Sequence, residues 1–322
     1  MTTTYFDISV VICAYTEERW DDLVAAITSV QQQIFLAREI VLVIDHNPRL
    51  LEKASKHFSG VILVENRGTA GVNGSRNAGV AATKGSVLAF LDDDAIAAPE
   101  WLEQINVEFK NAQVLGVGGL IEPLWTKGRP AWFPEEFYWV LGCSYRGMPQ
   151  KAAEIRNLIH CNMAVRREVW DTIGGLNDKF GHVNGQPRGC GDTEFGIRVH
   201  QHWPQHILLY APYAKVYHRV PPGRSRWQYF CKRCKFEGRS KALLTRVVGT
   251  QIGLSSERTY TFQTLPRGIL RGVAEGFLDR DLGGLLRAGV IVAGLAITTA
   301  SYLAEKLRPQ SKYVVVDIAL QK

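Results

Sequence analysis

The chain has 322 residues, 46% of them hydrophobic, enough to bury one large core or a core with an appended domain, and this excludes a disordered chain. Its formal charge of +7 is unevenly placed: residues 215–322 carry 19 Lys/Arg against 7 Asp/Glu, whereas residues 1–214 carry 19 against 24. A basic C-terminal third suits an anionic surface, and because its aromatics follow no nucleic-acid motif, phospholipid headgroups are favoured over nucleic acid.

The N-terminus MTTTYFDISV has neither a basic region nor a long apolar core, and six cysteines are scattered at 13, 143, 161, 190, 231 and 234. Both features predict a reducing, cytoplasmic setting. Cys231 and Cys234 form a CxxC, but no second ligand pair follows at zinc spacing, so two packed thiols on a helix are expected.

In chain order, Ile8–Ala14 is a short β-branched apolar run, followed by the polar turn YTEER and the amphipathic stretch WDDLVAAITSVQQQ: a strand, a loop and a helix. Residues 39–44 form a second strand ending in Asp45, and residues 61–64 a third ending in Glu65-Asn66-Arg67-Gly68. Strands alternating with helices predict a parallel sheet with its ligand crevice at the strand carboxyl ends. The glycine-rich loop that follows opens a helix from Ser75, whose N-terminus either faces phosphate or closes a surface turn. Arg76 on that helix suits balancing a carboxylate cluster or holding a diphosphate. The cluster comes next: the apolar strand Val87–Leu91 ends in Asp92, Asp93 and Asp94. Three adjacent carboxylates repel one another. They make either an acidic turn before Pro99 or a divalent-metal site in which Asp92 and Asp94 clasp a hard ion that also takes phosphate oxygens.

The succession ISVVICAYTEE, EIVLVIDHN and ENRGTAGVNGSRNAGVAATKGSVLAFLDDDA resembles the N-terminal half of family 2 glycosyltransferases of GT-A fold. The resemblance implies that Ala14, Tyr15 and Glu17 line a nucleoside pocket and that Asp45 contacts the base. It places Arg76 near the diphosphate and Asp92, Asp93 and Asp94 around ribose and metal.

Residues 114–123 read as a strand with glycines at a close backbone approach. The aromatic stretch RPAWFPEEFYWVLGCSYRG holds Trp132, Phe133, Phe137, Tyr138 and Trp139, either an apolar acceptor groove or the packed base of an inserted loop. This insertion is similar to that of glucosyl-dolichyl phosphate glucuronosyltransferases. In IHCNMAVRREVWDTIGGLNDKFG an extended turn leads into a helix stopped by Gly174-Gly175, with Asn162 as either a sugar contact or a buried turn amide. In RGCGDTEFGIRVHQHW, Asp192 and Glu194 open a helix, where capping alone explains them. The family pattern implies instead that Asp192 is the general base with Glu194 in support, although Gly191 stands where that pattern has glutamate. His218 follows a strand; it is either structural or, by resemblance, a completing metal ligand. Arg224, Arg226 and Arg233 are either diphosphate-holding or a solvated basic face.

From 265 onward the chain reads as helices carrying Arg267, Arg271, Arg280 and Arg287, and residues 288–304 have no charge. Seventeen such residues are at the short limit for a membrane span, so in-plane attachment fits better than threading, the alternative being a helix packed on the catalytic domain or a dimer partner.

The expectation is an α/β fold: a GT-A, Rossmann-like mixed sheet flanked by helices over residues 1–225, with a basic, mostly helical membrane-associating extension over 226–322. The expected function is an inverting glycosyltransferase, dependent on Mn2+ or Mg2+, that moves a sugar from a nucleotide-diphosphate sugar, a UDP-sugar, to a lipid-linked glycan at the cytoplasmic face of the membrane. Two other readings are a non-catalytic sugar-nucleotide-binding scaffold subunit and a soluble nucleotidyltransferase.

Overall fold

The computed structural model describes residues 6–178, 181–183, 186–188, 190–249 and 255–308. The chain divides into two compact units. One comprises Met1–Thr126, Gly142–Ser144 and Met148–Val220, the other Lys127–Leu141, Tyr145–Gly147 and Pro221–Lys322.

The first unit is built on β1 (Ile8–Ala14), α1 (Trp20–Gln31), β2 (Glu39–Asp45), α2 (Pro48–His57), β3 (Ile62–Asn66), α3 (Val72–Ala81), β4 (Val87–Asp92), β5 (Ala95–Ala97), α4 (Trp101–Glu108) and β6 (Val114–Trp125). It continues through β7 (Ala153–Ile155), β8 (Asn162–Arg166), α5 (Arg167–Ile173), the hairpin β9 (Gly181–Val183) and β10 (Gln186–Arg188), α6 (Gly191–His202) and β11 (Ile207–Val220). Among the described residues the main sheet has the order β3-β2-β1-β4-β8-β6-β11-β5, with β7 on β11.

β1 lies parallel between β2 and β4, as alternation of strands and helices predicts. The parallel pattern then breaks. β8 inserts antiparallel between β4 and β6, so the sheet is mixed. Both faces are covered, which is why β1, β2 and β4 are apolar along their length rather than alternating. α1 covers one side with Leu23, Ala26, Ile27 and Val30, a stripe at i, i+3, i+4 and i+7. On another side, Val11, Val43, Phe90, Trp170 and Phe195 share a buried cluster. α3 lies close on β1 and β2 because Gly79 has no side chain: a Cβ there would stand 2.5 Å from Val11 Cγ1 and 2.8 Å from Val43 Cγ2.

The second unit is helical: α7 (Trp227–Val248), α8 (Ser255–Thr259), a π-helical turn (Tyr260–Thr264), α9 (Leu265–Leu278) and α10 (Leu282–Leu307), with a 3-10 segment at Glu135–Leu141. The aromatic insertion is the packed base of this unit rather than a groove. Phe133 and Phe137 are buried, and Phe230 of α7 lies 5.7 Å and 5.2 Å from their ring centroids. Buried Glu136 pairs with Arg271. Cys234 is buried and Cys231 partly so; both are free thiols.

α10 is, among the described residues, the one helix long and apolar enough to cross a membrane. Its open side is also apolar. Leu282, Leu286, Val292 and Leu303 are exposed at helical spacing, and Leu270 and Phe277 continue an exposed apolar stripe on α9.

Candidate active site

The carboxyl ends of β1, β2 and β4 bring Ala14, Asp45 and Asp92 to one edge of the sheet. Asp93 and Asp94 form the turn between β4 and β5, and that turn is held from its far side: the Arg219 amide donates to the Asp94 carbonyl (2.8 Å), and Ala95 pairs with His218. His218 lies inside β11, since this strand runs to Val220 instead of ending before the histidine.

Each of the three carboxylates faces a cation. Arg76 Nη2 donates to Asp92 Oδ1 at 2.6 Å. Arg19 Nη1 donates to Asp93 Oδ1 at 2.7 Å and to Asp94 Oδ2 at 3.2 Å. His218 Nε2 lies 3.1 Å from Asp94 Oδ1. Asp93 and Asp94 are buried, so their repulsion is poorly screened by solvent, and neighbouring cations become necessary. Burial works against the His218 proton, but its bonds to Asp94 and Cys143 outweigh burial and push the pKa up to about 10. For Arg19, burial weakens the cation, yet Asp93 and Asp94 prevail and hold its proton more firmly.

A divalent ion fits this donor set. Asp92, Asp94 and His218 could offer it oxygen and nitrogen atoms, and Arg19 is a positive charge already lodged on the turn. One ligand atom each from Asp92, Cys161 and His218 also lie within 4.8 Å of one another.

Around this centre, Tyr15 is 55% exposed and donates no surface to the core; its hydroxyl accepts from Arg19 Nη2 at 2.8 Å. Glu17 is exposed in a 3-10 turn, and Ala14 is buried, so its side chain offers the cleft no surface. Asp45 is engaged by the loop after β3. It accepts from Asn66 Nδ2 (2.8 Å) and the Gly71 amide (2.8 Å), and bonds His46 (2.8 Å). Burial raises its pKa, but those three bonds together outweigh it and hold the carboxyl below the usual range.

The pair Arg76-Asn77 splits its work. Arg76 turns to Asp92, while Asn77 bonds the Leu176 carbonyl (2.8 Å) and amide (3.0 Å), tying α3 to the loop after α5. Behind Arg76 sits His160, whose Nδ1 accepts from Arg76 Nη1 at 3.2 Å, so Nε2 carries the hydrogen. Burial, reinforced by the Arg76 charge, pushes the His160 pKa down to about 3 and keeps the ring neutral.

Asp192 and Glu194 stand in the first turn of α6 but are differently placed. Asp192 is partly exposed and accepts the Thr193 amide at 2.7 Å; among the described residues no hydrogen bond links it to the aspartate cluster. Glu194 is buried and bonds Arg198 through both oxygens, at 2.7 and 2.9 Å. Arg198 also donates to the carbonyls of Ile173 and Gly175, so this pair fastens α6 to the end of α5.

Asn162 is a buried amide and not a surface contact. Its Nδ2 donates to the carbonyls of Ala214 (2.7 Å) and Leu120 (3.1 Å), and its Oδ1 accepts from Trp101 Nε1 (2.8 Å). In the helical unit, Arg226 is exposed at the start of α7 and Arg233 donates to the Val140 carbonyl.

Sequence reasoning missed Arg19, His160 and Cys161. Arg19 sat in a polar turn, and its partners lie more than seventy positions away, so only the excess of negative charge signalled a missing cation. For Glu194 the i, i+4 spacing to Arg198 was a readable sign of its ion pair.

Comparisons with known proteins bear on the family and the fold. Residues 9–174 match the profile of Glycosyl transferase family 2. A glucosyl-dolichyl phosphate glucuronosyltransferase of Haloferax volcanii is 30% identical over 241 residues, 74% of this chain and 77% of that protein. An uncharacterized glycosyltransferase of Haemophilus influenzae is 31% identical over 120 residues, 36% of each chain. Among solved structures, the mannosyltransferase PcManGT of Pyrobaculum calidifontis in complex with GDP-Man and Mn2+ aligns with a TM-score of 0.55 at 14% identity, over 92% of this chain and 88% of that one. GalNAc-T7 with UDP, GalNAc and Mn2+ aligns with a TM-score of 0.54 at 16% identity, over 87% and 58%. The mixed sheet, the aspartate turn at its edge and the match over half the chain lead to one conclusion: the protein belongs to glycosyl transferase family 2 and is a glycosyltransferase of GT-A fold.

Proposed function

We propose that this glycosyltransferase is an inverting enzyme, dependent on Mn2+ or Mg2+, that moves a sugar from a UDP-sugar to a hydroxyl of a lipid-linked glycan. The observation that carries the reading is the turn Asp92–Asp94, where three carboxylates at the sheet edge are each balanced by a neighbouring cation. Such a turn is built to exchange a protein cation for a metal-bound diphosphate. A divalent ion held by Asp92, Asp94 and His218 would neutralise charge developing on the departing diphosphate.

The chain's own residues do the rest. Tyr15 offers an exposed ring to the nucleobase, and Glu17 and the backbone at Ala14 border it. Asp45 keeps the Asn66–Gly71 loop in place beside the base. Arg76 orients Asp92, and Asp93 anchors Arg19. Asp192 takes the proton from the acceptor hydroxyl as its oxygen attacks the anomeric carbon on the face opposite the diphosphate. The new C–O bond forms as the old one breaks, and no covalent enzyme intermediate is required. Glu194 acts by positioning: its pair with Arg198 sets the α6 terminus that carries Asp192.

Two observations support the acceptor and the location. The relative from Haloferax volcanii is named for a glucosyl-dolichyl phosphate substrate. The basic C-terminal third carries the exposed apolar stripes of α9 and α10, which suit in-plane attachment at the cytoplasmic face of a membrane. In this reading residues 1–225 perform transfer and residues 226–322 attachment.

Asp192→Asn tests the core of the proposal. General base catalysis supplies about 10²- to 10⁴-fold, so transfer should fall by at least about 100-fold. Thermal stabilisation by UDP-sugar and Mn2+ should persist. A variant that still transfers sugar at the wild-type rate would refute the assignment.

A further inference from the structure

We infer that Cys161 adds a sulfur donor to the divalent-cation site, so that thiophilic ions such as Zn2+, Co2+ and Cd2+ out-compete Mn2+ and Mg2+ there. The inference rests on the proposed role of Asp92 and His218 as metal ligands and adds a ligand of a different chemical character.

The juxtaposition is fixed by the sheet and not by loops. β4 and β8 run antiparallel with Leu91 opposite Asn162, so one step further along the ladder sets Asp92 against Cys161. His218 arrives on β11, held beside Ala95 of β5 and Pro123 of β6. The three ligand atoms lie within 4.8 Å of one another. Donors around a tetrahedral ion at about 2.0–2.3 Å sit roughly 3.3–3.8 Å apart, so closing onto an ion requires about 1 Å of side-chain movement. Cys161 and His218 are both 4% exposed, and Asp92 is 31% exposed at its side chain, which leaves the Asp92 side for a fourth ligand from solvent or substrate. Cys143 Sγ stands 3.8 Å from His218 Nδ1 and orients the imidazole so that Nε2 faces Asp94.

A set of one carboxylate, one imidazole and one thiolate is poorly matched to Mg2+, which demands six oxygens in an octahedron. It suits Zn2+ and Co2+, which accept mixed O, N and S donors at low coordination number. When such an ion binds, the Cys161 thiol and the His218 imidazolium each release a proton to solvent as the metal–sulfur and metal–nitrogen bonds form, with no change of oxidation state.

The test is a Co2+ titration of the metal-free full chain, followed by absorption, with Mn2+ competition read from the paramagnetic signal of free Mn2+. Wild type should develop a sulfur-to-cobalt charge-transfer band in the near ultraviolet and bind Co2+ at least about tenfold more tightly than Mn2+. Cys161→Ser should lose the band and weaken Co2+ binding by a larger factor than Mn2+ binding, narrowing the preference to what the remaining oxygen and nitrogen donors confer. Cys143→Ser should keep the band. Wild type that binds Mn2+ but shows no band overturns the inference and leaves the proposed function standing. A band that survives in Cys161→Ser places the sulfur elsewhere and also overturns it. Failure of wild type to bind any divalent ion removes both this inference and the metal dependence proposed above. The wild-type band is decisive even if the variants fold poorly.

Discussion

Replacing Asn162 by leucine removes a brace at an irregularity in the sheet. The ladder between β6 and β11 slips between Ala211 and Val216, and the Ala214 carbonyl inside that bulge is taken by Asn162 Nδ2 at 2.7 Å. The second amide hydrogen satisfies the Leu120 carbonyl at 3.1 Å, and the side-chain oxygen satisfies the Trp101 indole at 2.8 Å. Gly119 makes room for this arrangement: a Cβ there would stand 1.7 Å from the Ala214 oxygen and 2.3 Å from Asn162 Nδ2. Leucine has the same branched skeleton and is larger, so no cavity opens, but two buried polar groups and one part-buried carbonyl lose their partner. At about 1–3 kcal/mol each, and with some relaxation, Asn162→Leu should cost about 3–6 kcal/mol, a large share of a domain's stability of about 5–15 kcal/mol. Trp101→Phe, which removes one of the three bonds, should cost less than half as much. The measurement is the urea midpoint at unchanged m-value. If Asn162→Leu lost under about 1 kcal/mol yet raised KM for the donor sugar, the bracing argument would be refuted and the side chain would be a substrate contact.

Three further outcomes are expected. His160 has a folded pKa near 3 against an ordinary 6.5, so between these values the unfolded chain binds a proton that the folded one does not. Its contribution to stability is complete above pH 6.5 and is lost as pH falls toward 3, at up to about 1.4 kcal/mol per pH unit; His160→Gln should flatten urea midpoints measured from pH 4 to 7, and an unchanged slope would count against the buried neutral ring. Arg19→Gln should destabilise the metal-free protein by about 1–3 kcal/mol, because Asp93 and Asp94 lose a charged donor, and Mn2+ should restore most of that loss; a melting shift equal with and without Mn2+ would show that the two cations do not share the turn. Leu270→Ser combined with Phe277→Ser should weaken sedimentation with anionic phospholipid vesicles by at least about tenfold without altering the melting temperature, and unchanged sedimentation would dissociate the α9 stripe from the membrane.

The strands that deliver the aspartates were legible because buried parallel strands are apolar throughout and end abruptly in polar residues, as Ile8–Ala14 and Val87–Leu91 do. In the sequence β8 reads as an extended turn because Asn162–Arg166 is five residues long and its partners β4 and β6 are distant in sequence. The same non-local pairing hid the neighbourhood of Cys161 and the continuation of β11 through His218. Periodicity reports which side of an element is buried, and says nothing of what it is buried against. The arginines illustrate the point: Arg76 stands beside an asparagine on a helix, but its partner Asp92 and the partners of Arg19 depend on which strand ends meet. The aromatic insertion was ambiguous for a similar reason, since Trp, Tyr and Phe suit a groove and a core equally; burial of Phe133 and Phe137 decides for the core.

Among the described residues β11 is the last strand in chain order, yet it lies inside the sheet, between β6 and β5. Until residue 220 has left the ribosome, the nascent chain holds the edge of β6 unpaired, and the aspartate turn lacks both the Arg219 amide and His218. The aspartate turn therefore gains its last cation and its backbone anchor only when residues 218 and 219 have been made. A chain that stops before His218 keeps the Arg76 and Arg19 pairs but leaves Asp94 without its imidazole and β6 without the end of its partner strand.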